Sequence, residues 1–316
     1  MNSGRMRAVK CTGYGPPAVL KLVEVDIPYP KENELRIAVK ASAVTASDIF
    51  IRSSAIPLQY QIPMRLLIGI SKPRRSILGL VFAGVVDSVG SKIKRFKPGH
   101  RVYGMTGFRF GAYAEYMCLK ETDSKTGCVA FLPEEISFEE ATAAAYGGSL
   151  ALQYMEKGHI KPDQHVLIYG ASGTSGTIAV QYAKNLGARV TGVCSTKNLK
   201  FVKSLGADAV IDYTATDSVE PGVEFDFMLD SVGKIKQSSL KQSCKQAVKK
   251  SGIFQSIDNG DLILSSSRLD QISSLVVAGA FKPVVEKTYP LEQIVEAHEY
   301  VQKGHKRGGV AIRISD

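Results

Sequence analysis

The chain has 316 residues, 44% of them hydrophobic, and a formal net charge of +10, so it is long enough for two domains that each bury a core. No apolar stretch reaches the length of about 18 residues that a membrane-spanning helix needs, and the first residues contain no apolar signal-peptide core. These features predict a cytoplasmic protein without a membrane span. The basic segments lack interleaved aromatic residues, so nucleic-acid binding is not expected.

The cysteines are scattered along the chain rather than paired. There are 5 of them, and no two form a Cys-x-x-Cys motif. An odd, unclustered set is typical of reduced thiols. The sequence therefore predicts neither a disulfide framework nor a cysteine-rich zinc lobe.

The first 125 or so residues have the sequence pattern of a β-rich domain. Residues 34–42 alternate the apolar side chains of Leu35, Ile37 and Val39 with more polar positions, which is typical of a half-buried strand. The segments "LVFAGVVDSVG" and "AYAEYMCL" predict further strands, with a turn at Pro98 and Gly99 between them.

From Ser137 onward, strands alternate with helices. Ser137 and Glu140 have the spacing of a capping box ahead of an alanine-rich helix. Apolar runs that read as strands follow at residues 166–169, 189–194, 209–212, 225–230 and 252–257. Such alternation predicts a doubly wound parallel sheet with helices on both faces. Between the last two runs, Leu240, Cys244 and Val248 recur every four residues in a lysine-rich segment, which predicts a helix with a solvated basic face.

The turn after the first of these strands has the composition of a dinucleotide-binding loop. It consists of Ala171, Ser172, Gly173, Thr174, Ser175 and Gly176, and a helical pattern follows it. The small first residue permits a tight turn, Gly173 lets the backbone approach a pyrophosphate, and Gly176 lets the helix pack close to the strand. The free N–H groups of the helix N-terminus would then face the phosphates. The motif predicts dinucleotide binding, with an empty structural turn as the alternative.

The residues after the second strand bear on which dinucleotide is bound. NAD sites usually place Asp or Glu there to bind the ribose hydroxyls, but residues 187–206 contain neither. The chain instead has Ser195, Thr196 and Lys197, whose hydroxyls and positive charge suit a 2′-phosphate. Tyr213, after the third strand, could flank the same phosphate or serve only in packing. The pattern predicts NADPH (NADP+), with a solvated loop as the alternative.

Segments in a fixed order, spread over nearly the whole chain, carry a family pattern. They are "MRAVKCTGYGPPAVLKL", "VTASDIFIR", "ILGLVFAGVVDSVGSKIKRFKPGHRVYG", "FGAYAEY", "VLIYGASGTSG", "SLGADAVIDY" and "YPLEQIVEAHEYVQKGHKRGGVAI". With them the chain resembles the medium-chain dehydrogenase/reductase superfamily, in its zinc-free, zeta-crystallin-like quinone oxidoreductase branch. The resemblance implies an α/β protein with a GroES-like β-rich catalytic domain at 1–128, a Rossmann NADP-binding domain at 129–282, and a segment at 283–316 that returns to the catalytic domain.

The same resemblance predicts that no metal is bound. Zinc-dependent relatives carry Cys where this chain has Thr45, and Gly-His-Glu where it has Gly79, Leu80 and Val81. Leu and Val cannot ligate zinc. Without zinc to polarise an alcohol oxygen, hydride transfer to an electron-poor small-molecule acceptor is expected, such as a quinone or an α,β-unsaturated carbonyl.

Three polar residues are candidates to line the nicotinamide end of the site: Thr45, Asp48 and Ser149. Capping of a helix is the alternative role for such residues, and for Asp48 it carries at least equal weight. Phe50 stands where some relatives have Tyr and cannot donate a proton, so solvent is expected to deliver the final proton. The apolar and basic segment 57–77 could form a lid over the acceptor or a docking segment for a partner.

The preferred hypothesis is therefore an NADPH-dependent reductase. The alternative is an NADPH-binding, redox-sensing or RNA-binding module with little turnover, which the net charge permits. The chain is shorter than other family members between residues 252 and 275, a region that often supplies a subunit-pairing strand. This leaves open whether the protein forms a homodimer.

Overall fold

The computed structural model describes residues 4–53, 65–66, 68–233 and 237–315, and these form two compact units. The first unit comprises Met1–Ala145, Leu264–Ser273 and Val285–Asp316, and the second comprises Tyr146–Ile263 and Ser274–Val284. None of the described helices is long and apolar enough to cross a membrane. Residues 57–64 and 67, which belong to the segment 57–77 interpreted as a lid or a docking segment, lie outside the described residues.

The strands and helices follow one another along the described residues as the sequence pattern predicts. The strands are β1 (Arg5–Cys11), β2 (Leu20–Asp26), β3 (Glu34–Ala43), β4 (Val81–Val89), β5 (Arg101–Met105), β6 (Tyr116–Lys120), β7 (Cys128–Phe131), β8 (His165–Tyr169), β9 (Arg189–Cys194), β10 (Ala209–Asp212), β11 (Phe225–Asp230), β12 (Val248–Ser256), β13 (Val285–Pro290) and β14 (Gly309–Arg313). The helices are α1 (Ala46–Ser53), α2 (Phe138–Ala143), α3 (Ser149–Met155), α4 (Thr174–Asn185), α5 (Leu199–Ser204), α6 (Ser239–Gln246), α7 (Ser266–Val277) and α8 (Ile294–Gln302).

The first unit is the predicted GroES-like β-rich domain. Strands β1 and β2 form an antiparallel pair, and a larger sheet runs in the order β13-β14-β3-β4-β5-β7, with β6 paired to β3. In β3 the predicted alternation is confirmed, because Leu35, Ile37 and Val39 are completely buried. The C-terminal strand β14 returns to this sheet, with Ala311 opposite Ala43 in an antiparallel pair.

Helix α2 packs with the first unit, which therefore extends to Ala145 rather than to residue 128. Arg313 of β14 donates to the Glu139 carboxylate at 3.0 Å and ties the helix to the sheet. The predicted capping box is present at its N-terminus. The Ser137 hydroxyl accepts from the Glu140 N–H at 3.2 Å, and the Glu140 carboxylate accepts from the Ser137 N–H at 3.2 Å.

The second unit contains the predicted parallel sheet. Its strands lie in the order β10-β9-β8-β11-β12, and every neighbouring pair is parallel. The order reverses at β8, which lies between β9 and β11. In sheets of this kind ligands bind at the carboxyl ends of the strands, where the order reverses.

The lysine-rich segment before the last strand differs from its prediction. Helix α6 ends at Gln246, and Val248 is not the next turn of that helix but the first residue of β12, paired with Phe225. Val248 pairs with β11 as part of the edge strand, so its spacing of four residues from Cys244 does not reflect a shared helix face. Within the described part of the second unit, β12 is the edge of the sheet, since no strand follows it between residues 257 and 265.

Candidate functional site

The glycine turn is anchored to the neighbouring strand. Strand β8 ends at Tyr169, and Gly170 reverses the chain with a φ of +84°, a conformation that favours glycine. The N–H groups of Gly170 and Ala171 both donate to the carbonyl of Val193, at 3.1 and 3.0 Å. The turn therefore leaves the sheet in one defined direction, and helix α4 begins directly after Gly173.

Gly173 and Gly176 lack side chains for different reasons. A Cβ at Gly176 would lie 2.1 Å from the carbonyl oxygen of Gly170, so the contact between α4 and the turn requires glycine. Among the described residues, a Cβ at Gly173 would meet only that same oxygen, at 3.5 Å, which is an ordinary contact. Packing between described residues explains why position 176 must be glycine, and it does not explain why position 173 is glycine.

The turn has the features that a dinucleotide pyrophosphate requires. Gly173 is the N-cap residue of α4 and has no side chain that could accept from the first-turn N–H groups. Apart from the Gly170 oxygen, no described atom lies within 4 Å of the Cβ position at Gly173, so an anion can approach the helix N-terminus closely. The residues present therefore fit the phosphates of a nicotinamide dinucleotide.

The two serines of the turn contact residues from elsewhere in the second unit. Ser172 accepts a hydrogen bond at 3.1 Å from the amide of Asn198, which is buried. The hydroxyls of Ser175 and Ser231 lie 3.2 Å apart. Sequence reasoning missed Asn198 and Ser231. Ser231 directly follows β11, so its place at a strand end beside β8 was the signal that could have identified it.

The loop after β9 carries the residues expected to bind a 2′-phosphate. Ser195 is buried, and its carbonyl accepts from the N–H of Asn198 at 2.8 Å. Thr196 and Lys197 are exposed on a single helical turn. Tyr213 is 44% exposed, and its N–H donates to the carbonyl of Cys194 at 3.0 Å. The ends of β9 and β10 thus bring these residues to the same edge of the sheet as the glycine turn.

A carboxylate that sequence reasoning missed lies in this loop. Asp212, the last residue of β10, accepts from the Thr196 hydroxyl at 2.5 Å and from the Thr214 hydroxyl at 2.6 Å. Burial raises the pKa of Asp212, but the hydrogen bonds from Thr196 and Thr214 outweigh it and leave the pKa below its ordinary value. Asp212 is therefore ionised at neutral pH. Its carboxylate accepts the one proton of the Thr196 hydroxyl, which cannot then donate to a phosphate. Its charge opposes part of the attraction that Lys197 offers to a phosphate.

Thr45 and Asp48 cap helix α1 reciprocally. The Asp48 carboxylate accepts from the N–H of Thr45 at 2.9 Å and from its hydroxyl at 2.6 Å, while the N–H of Asp48 donates to the Thr45 hydroxyl at 3.2 Å. This is the geometry of a capping box, which is the alternative role that the sequence allowed.

Asp48 nevertheless has an environment unusual for a capping residue. It is completely buried, and burial raises its pKa to about 6, against hydrogen bonds from Thr45 that lower it. Its Oδ1 atom has no hydrogen-bond partner among the described residues. The neighbouring Tyr113 hydroxyl donates at 3.2 Å to the carbonyl of Ala43. No described donor is in hydrogen-bond geometry with the Asp48 Oδ1 atom, although the Tyr113 hydroxyl and the Gly79 N–H are close enough to help lower the pKa of the carboxyl. Such an oxygen is costly to bury unless the group is protonated or has a ligand.

Other buried polar groups of the first unit lie beyond Tyr113, which is a neighbour of this carboxyl. The ring of His298 packs edge-on against Tyr113, with 5.8 Å between centroids. Burial, assisted by the charge of Arg52, lowers the pKa of His298 to about 3, so the imidazole is neutral. Arg52 is buried and donates to the side chain of Gln302 at 2.6 Å and to the carbonyl of Gly15. The sequence offered no periodic signal for this cluster.

Ser149 lies in the second unit, whereas Thr45 and Asp48 lie in the first. It is the first residue of α3 and follows a π-helical turn at Ala144–Gly148, a feature often found at functional sites. Ser149 is 1% exposed, and its hydroxyl has no hydrogen-bond partner among the residues that the structure describes. An unpartnered buried hydroxyl of this kind is consistent with a ligand contact.

The positions that hold zinc in zinc-dependent relatives carry no ligand side chain apart from the Thr45 hydroxyl. Leu80 precedes β4, and Val81 is its first residue and is completely buried. In the parts of the chain that the structure describes, no group of at least 3 His, Cys, Asp or Glu residues could hold a metal ion.

Comparisons with known proteins cover almost the entire chain. A family model described as an alcohol dehydrogenase GroES-like domain matches residues 31–129, and two models described as zinc-binding dehydrogenase match 176–256 and 245–312. The chain is 30% identical to the 2-methylene-furan-3-one reductase of Solanum lycopersicum, over 97% of this chain and 79% of that protein. It is 27% identical to the NADPH-dependent alkenal/one oxidoreductase of Arabidopsis thaliana, with the same coverage of 97% and 79%.

A quinone oxidoreductase is among the similar solved structures. The quinone oxidoreductase of Coxiella burnetii has a TM-score of 0.85 and 26% identity, and the match covers 99% of this chain and 100% of that one. The quinone oxidoreductase of Pongo abelii, compared by sequence, is 28% identical over 97% of each chain. The likeness thus includes both units and their order along the chain.

Proposed function

Because the chain belongs to the medium-chain dehydrogenase/reductase superfamily, we propose that it is a zinc-independent, NADPH-dependent reductase of quinones or α,β-unsaturated carbonyls. The observation that carries the proposal is the backbone at Gly173, where no contact with a described residue requires glycine. Relatives named for furanones, alkenals and quinones support this class of acceptor. In each of these, a carbonyl conjugated with a C=C bond leaves a carbon short of electrons.

The residues of the second unit bind and orient the cofactor in this proposal. NADPH, when bound, supplies the hydride that reduces the acceptor. The N-terminus of α4 and the open backbone at Gly173 hold the pyrophosphate, and Lys197 pairs with the 2′-phosphate. Ser149, whose hydroxyl lacks a partner among the described residues, contacts the nicotinamide end.

Thr45 and Asp48 are proposed to contact the acceptor, and their hydrogen bond limits what they can do. While Asp48 is ionised, the Thr45 hydroxyl donates its only proton to that carboxylate and can only accept from a substrate. A protonated Asp48 would release the Thr45 hydroxyl to donate to the acceptor oxygen. Since the pKa of Asp48 is raised only to about 6, the ionised form dominates at neutral pH. Solvent therefore supplies the final proton.

The proposed independence from zinc is supported by residue types. Leu80 and Val81 offer no metal ligand, and Thr45 offers only a neutral hydroxyl. Without a Lewis acid, catalysis depends on holding the two reactants in contact and excluding water, which suffices for an acceptor that is already electron-poor. The cytoplasm is the proposed location, although the relatives include proteins named as chloroplastic and proteins named as mitochondrial.

The activity is tested by following NADPH oxidation with a panel of quinones and enones, with simple ketones as the control. We expect turnover with the conjugated acceptors, unchanged rates after EDTA treatment, and no stoichiometric zinc by elemental analysis. NADPH binding without oxidation by any acceptor would favour a sensing or RNA-binding module. About one zinc per chain, together with loss of activity on chelation, would contradict the zinc-independent mechanism.

Lys197→Ala is expected to weaken NADPH binding by about ten-fold, because a partly exposed contact to a phosphate is worth about 1.5 kcal/mol. NADH binding should change little, since NADH lacks the 2′-phosphate. The parent protein is expected to bind NADPH about ten- to hundred-fold more tightly than NADH. The ratio should be near the lower end of this range, because the Asp212 carboxylate beside Thr196 repels the 2′-phosphate. The measurement is a fluorescence titration of both cofactors.

Lys203→Ala is the matched control for Lys197→Ala, because it removes an exposed lysine from α5, outside the loop. It should leave both affinities unchanged. Equal loss of NADPH affinity in the two variants would indicate a general charge effect, and no loss in Lys197→Ala would remove this residue from the site.

A further inference from the structure

A lysine is buried at the carboxyl end of the parallel sheet. Lys241 on α6 is 5% exposed and Asp230 at the end of β11 is 4% exposed. The Lys241 ammonium donates to the Asp230 carboxylate at 3.0 Å and to the carbonyl of Gly233 at 2.7 Å. It also lies 5.1 Å from the ring centroid of Tyr169, at the end of β8. The end of β8 and the segment that follows β11 thus both contact one positive charge.

The same carboxylate shapes the loop that follows β11. The second oxygen of Asp230 accepts from the N–H groups of Val232 and Gly233, at 3.0 and 3.1 Å. Gly233 has a φ of +77°, and a Cβ there would lie 2.5 Å from the Asp258 carboxylate. Residues 231–233, called here the Asp230 loop, are therefore held through their N–H groups by Asp230 and through a carbonyl by Lys241.

The Asp230 loop packs against the glycine turn. Its Ser231 donates through N–H to the carbonyl of Tyr169 at 2.9 Å, and the Ser231 and Ser175 hydroxyls are 3.2 Å apart. Val232 approaches Gly170 so closely that a Cβ there would be 2.6 Å from the Val232 side chain. A shift of this loop would thus move the surface that faces the turn, at the point where the strand order reverses.

An apolar side chain could not make this arrangement. The ammonium has three donors, and one of them bonds a carboxylate while another bonds a backbone carbonyl. Burying the pair costs desolvation energy, and replacing such pairs by apolar residues is often neutral for stability. Stability alone is therefore a weak explanation for Lys241, whereas the conformation of the Asp230 loop depends on both of its bonds.

We propose that Lys241 is a positioning residue of the dinucleotide site, which holds the Asp230 loop against the glycine turn without touching the cofactor. The proposal rests on the proposed function in one respect, that NADPH binds at the glycine turn. It goes beyond that function by assigning cofactor affinity to a residue remote from the glycine motif in sequence.

The test compares Lys241→Met with the double variant Asp230→Asn/Lys241→Met. The single variant leaves the Asp230 charge buried without its partner, so its melting temperature is expected to fall. The double variant removes both charges and is expected to melt close to the parent protein. Both are expected to bind NADPH about ten-fold more weakly by fluorescence titration. In the double variant, the KM for NADPH should rise while kcat at saturating NADPH stays near the parent value.

Hydrogen exchange gives a readout that does not depend on activity. The amides of Val232 and Gly233 should exchange faster in both variants without cofactor, because their acceptor or its partner has been altered. The control is Lys249→Met, which breaks the ion pair of Lys249 with Asp226, 2.7 Å long, near the opposite end of β11. It should leave NADPH affinity and the exchange of these two amides unchanged.

The outcomes separate this proposal from the proposed function. A folded double variant that binds NADPH as tightly as the parent protein would overturn the role of Lys241 and leave the proposed function intact. Equal losses in Lys249→Met and in the Lys241 variants would also overturn it. Failure of the parent protein to bind NADPH would reject the proposed function and, with it, this inference.

Discussion

Gly173→Val is expected to weaken NADPH binding at least ten-fold, about 1.4 kcal/mol or more, in a protein that still folds. The backbone at Gly173 is in the ordinary extended region, with φ −78° and ψ 176°, which valine adopts readily. With the part of the chain that the structure describes, a Cβ there makes only one contact, at 3.5 Å from the Gly170 oxygen. The methyl groups would instead fill the space through which a pyrophosphate reaches the helix N-terminus. A fluorescence titration with NADPH measures the effect.

Gly176→Ala is the matched control, with the opposite pattern expected. Its Cβ would lie 2.1 Å from the Gly170 oxygen, so the turn and α4 must move apart and the melting temperature should fall. Gly173→Val should melt close to the parent protein. Parent-like affinity in folded Gly173→Val would show that the turn is only structural.

Asp48→Asn is expected to change how the stability of the protein depends on pH. The Asp48 carboxyl has a pKa of about 6 in the fold, against an ordinary value of 3.8. Between these values the folded state binds more protons than the unfolded state, so rising pH lowers stability. Relative to the variant, the parent protein should lose on the order of 2 kcal/mol of unfolding free energy between about pH 4 and pH 7. Urea unfolding at several pH values measures this difference.

Asp212→Asn is the control for that experiment, because it removes a carboxyl whose pKa is shifted in the opposite direction. Hydrogen bonds from Thr196 and Thr214 outweigh burial and hold the pKa of Asp212 below its ordinary value. Its contribution to stability is therefore present above that value and is lost only as the pH falls below it, so the difference between Asp212→Asn and the parent protein should be nearly constant from pH 4 to 7. A difference between Asp48→Asn and the parent protein that stays constant from pH 4 to 7 would contradict the raised pKa of Asp48.

Local patterns in the sequence determined the elements of the fold. Each apolar run predicted for the parallel sheet is a strand, and the alternation at residues 34–42 is β3. These predictions succeed because burial of one or both faces of a strand requires apolar residues at fixed intervals. The glycine turn is visible for the same reason, since a reversal at a strand end followed by a helix requires small residues at fixed positions. The lysine-rich segment shows the limit of this reasoning, because Val248 fits a helical spacing and yet joins the edge of the sheet.

Only the tertiary structure decided which side chains meet at the carboxyl ends of the strands. Asp212 lies 16 residues beyond Thr196 in the chain, and Ser231 lies 56 beyond Ser175. Parallel strand pairing brings each of these pairs into contact, and no local periodicity encodes which loops become neighbours. The sequence by itself therefore determined the glycine turn and the absence of zinc ligands at the family positions. The negative charge beside Thr196 and the buried contact of Lys241 with Asp230 depend on strand order, which long-range packing sets.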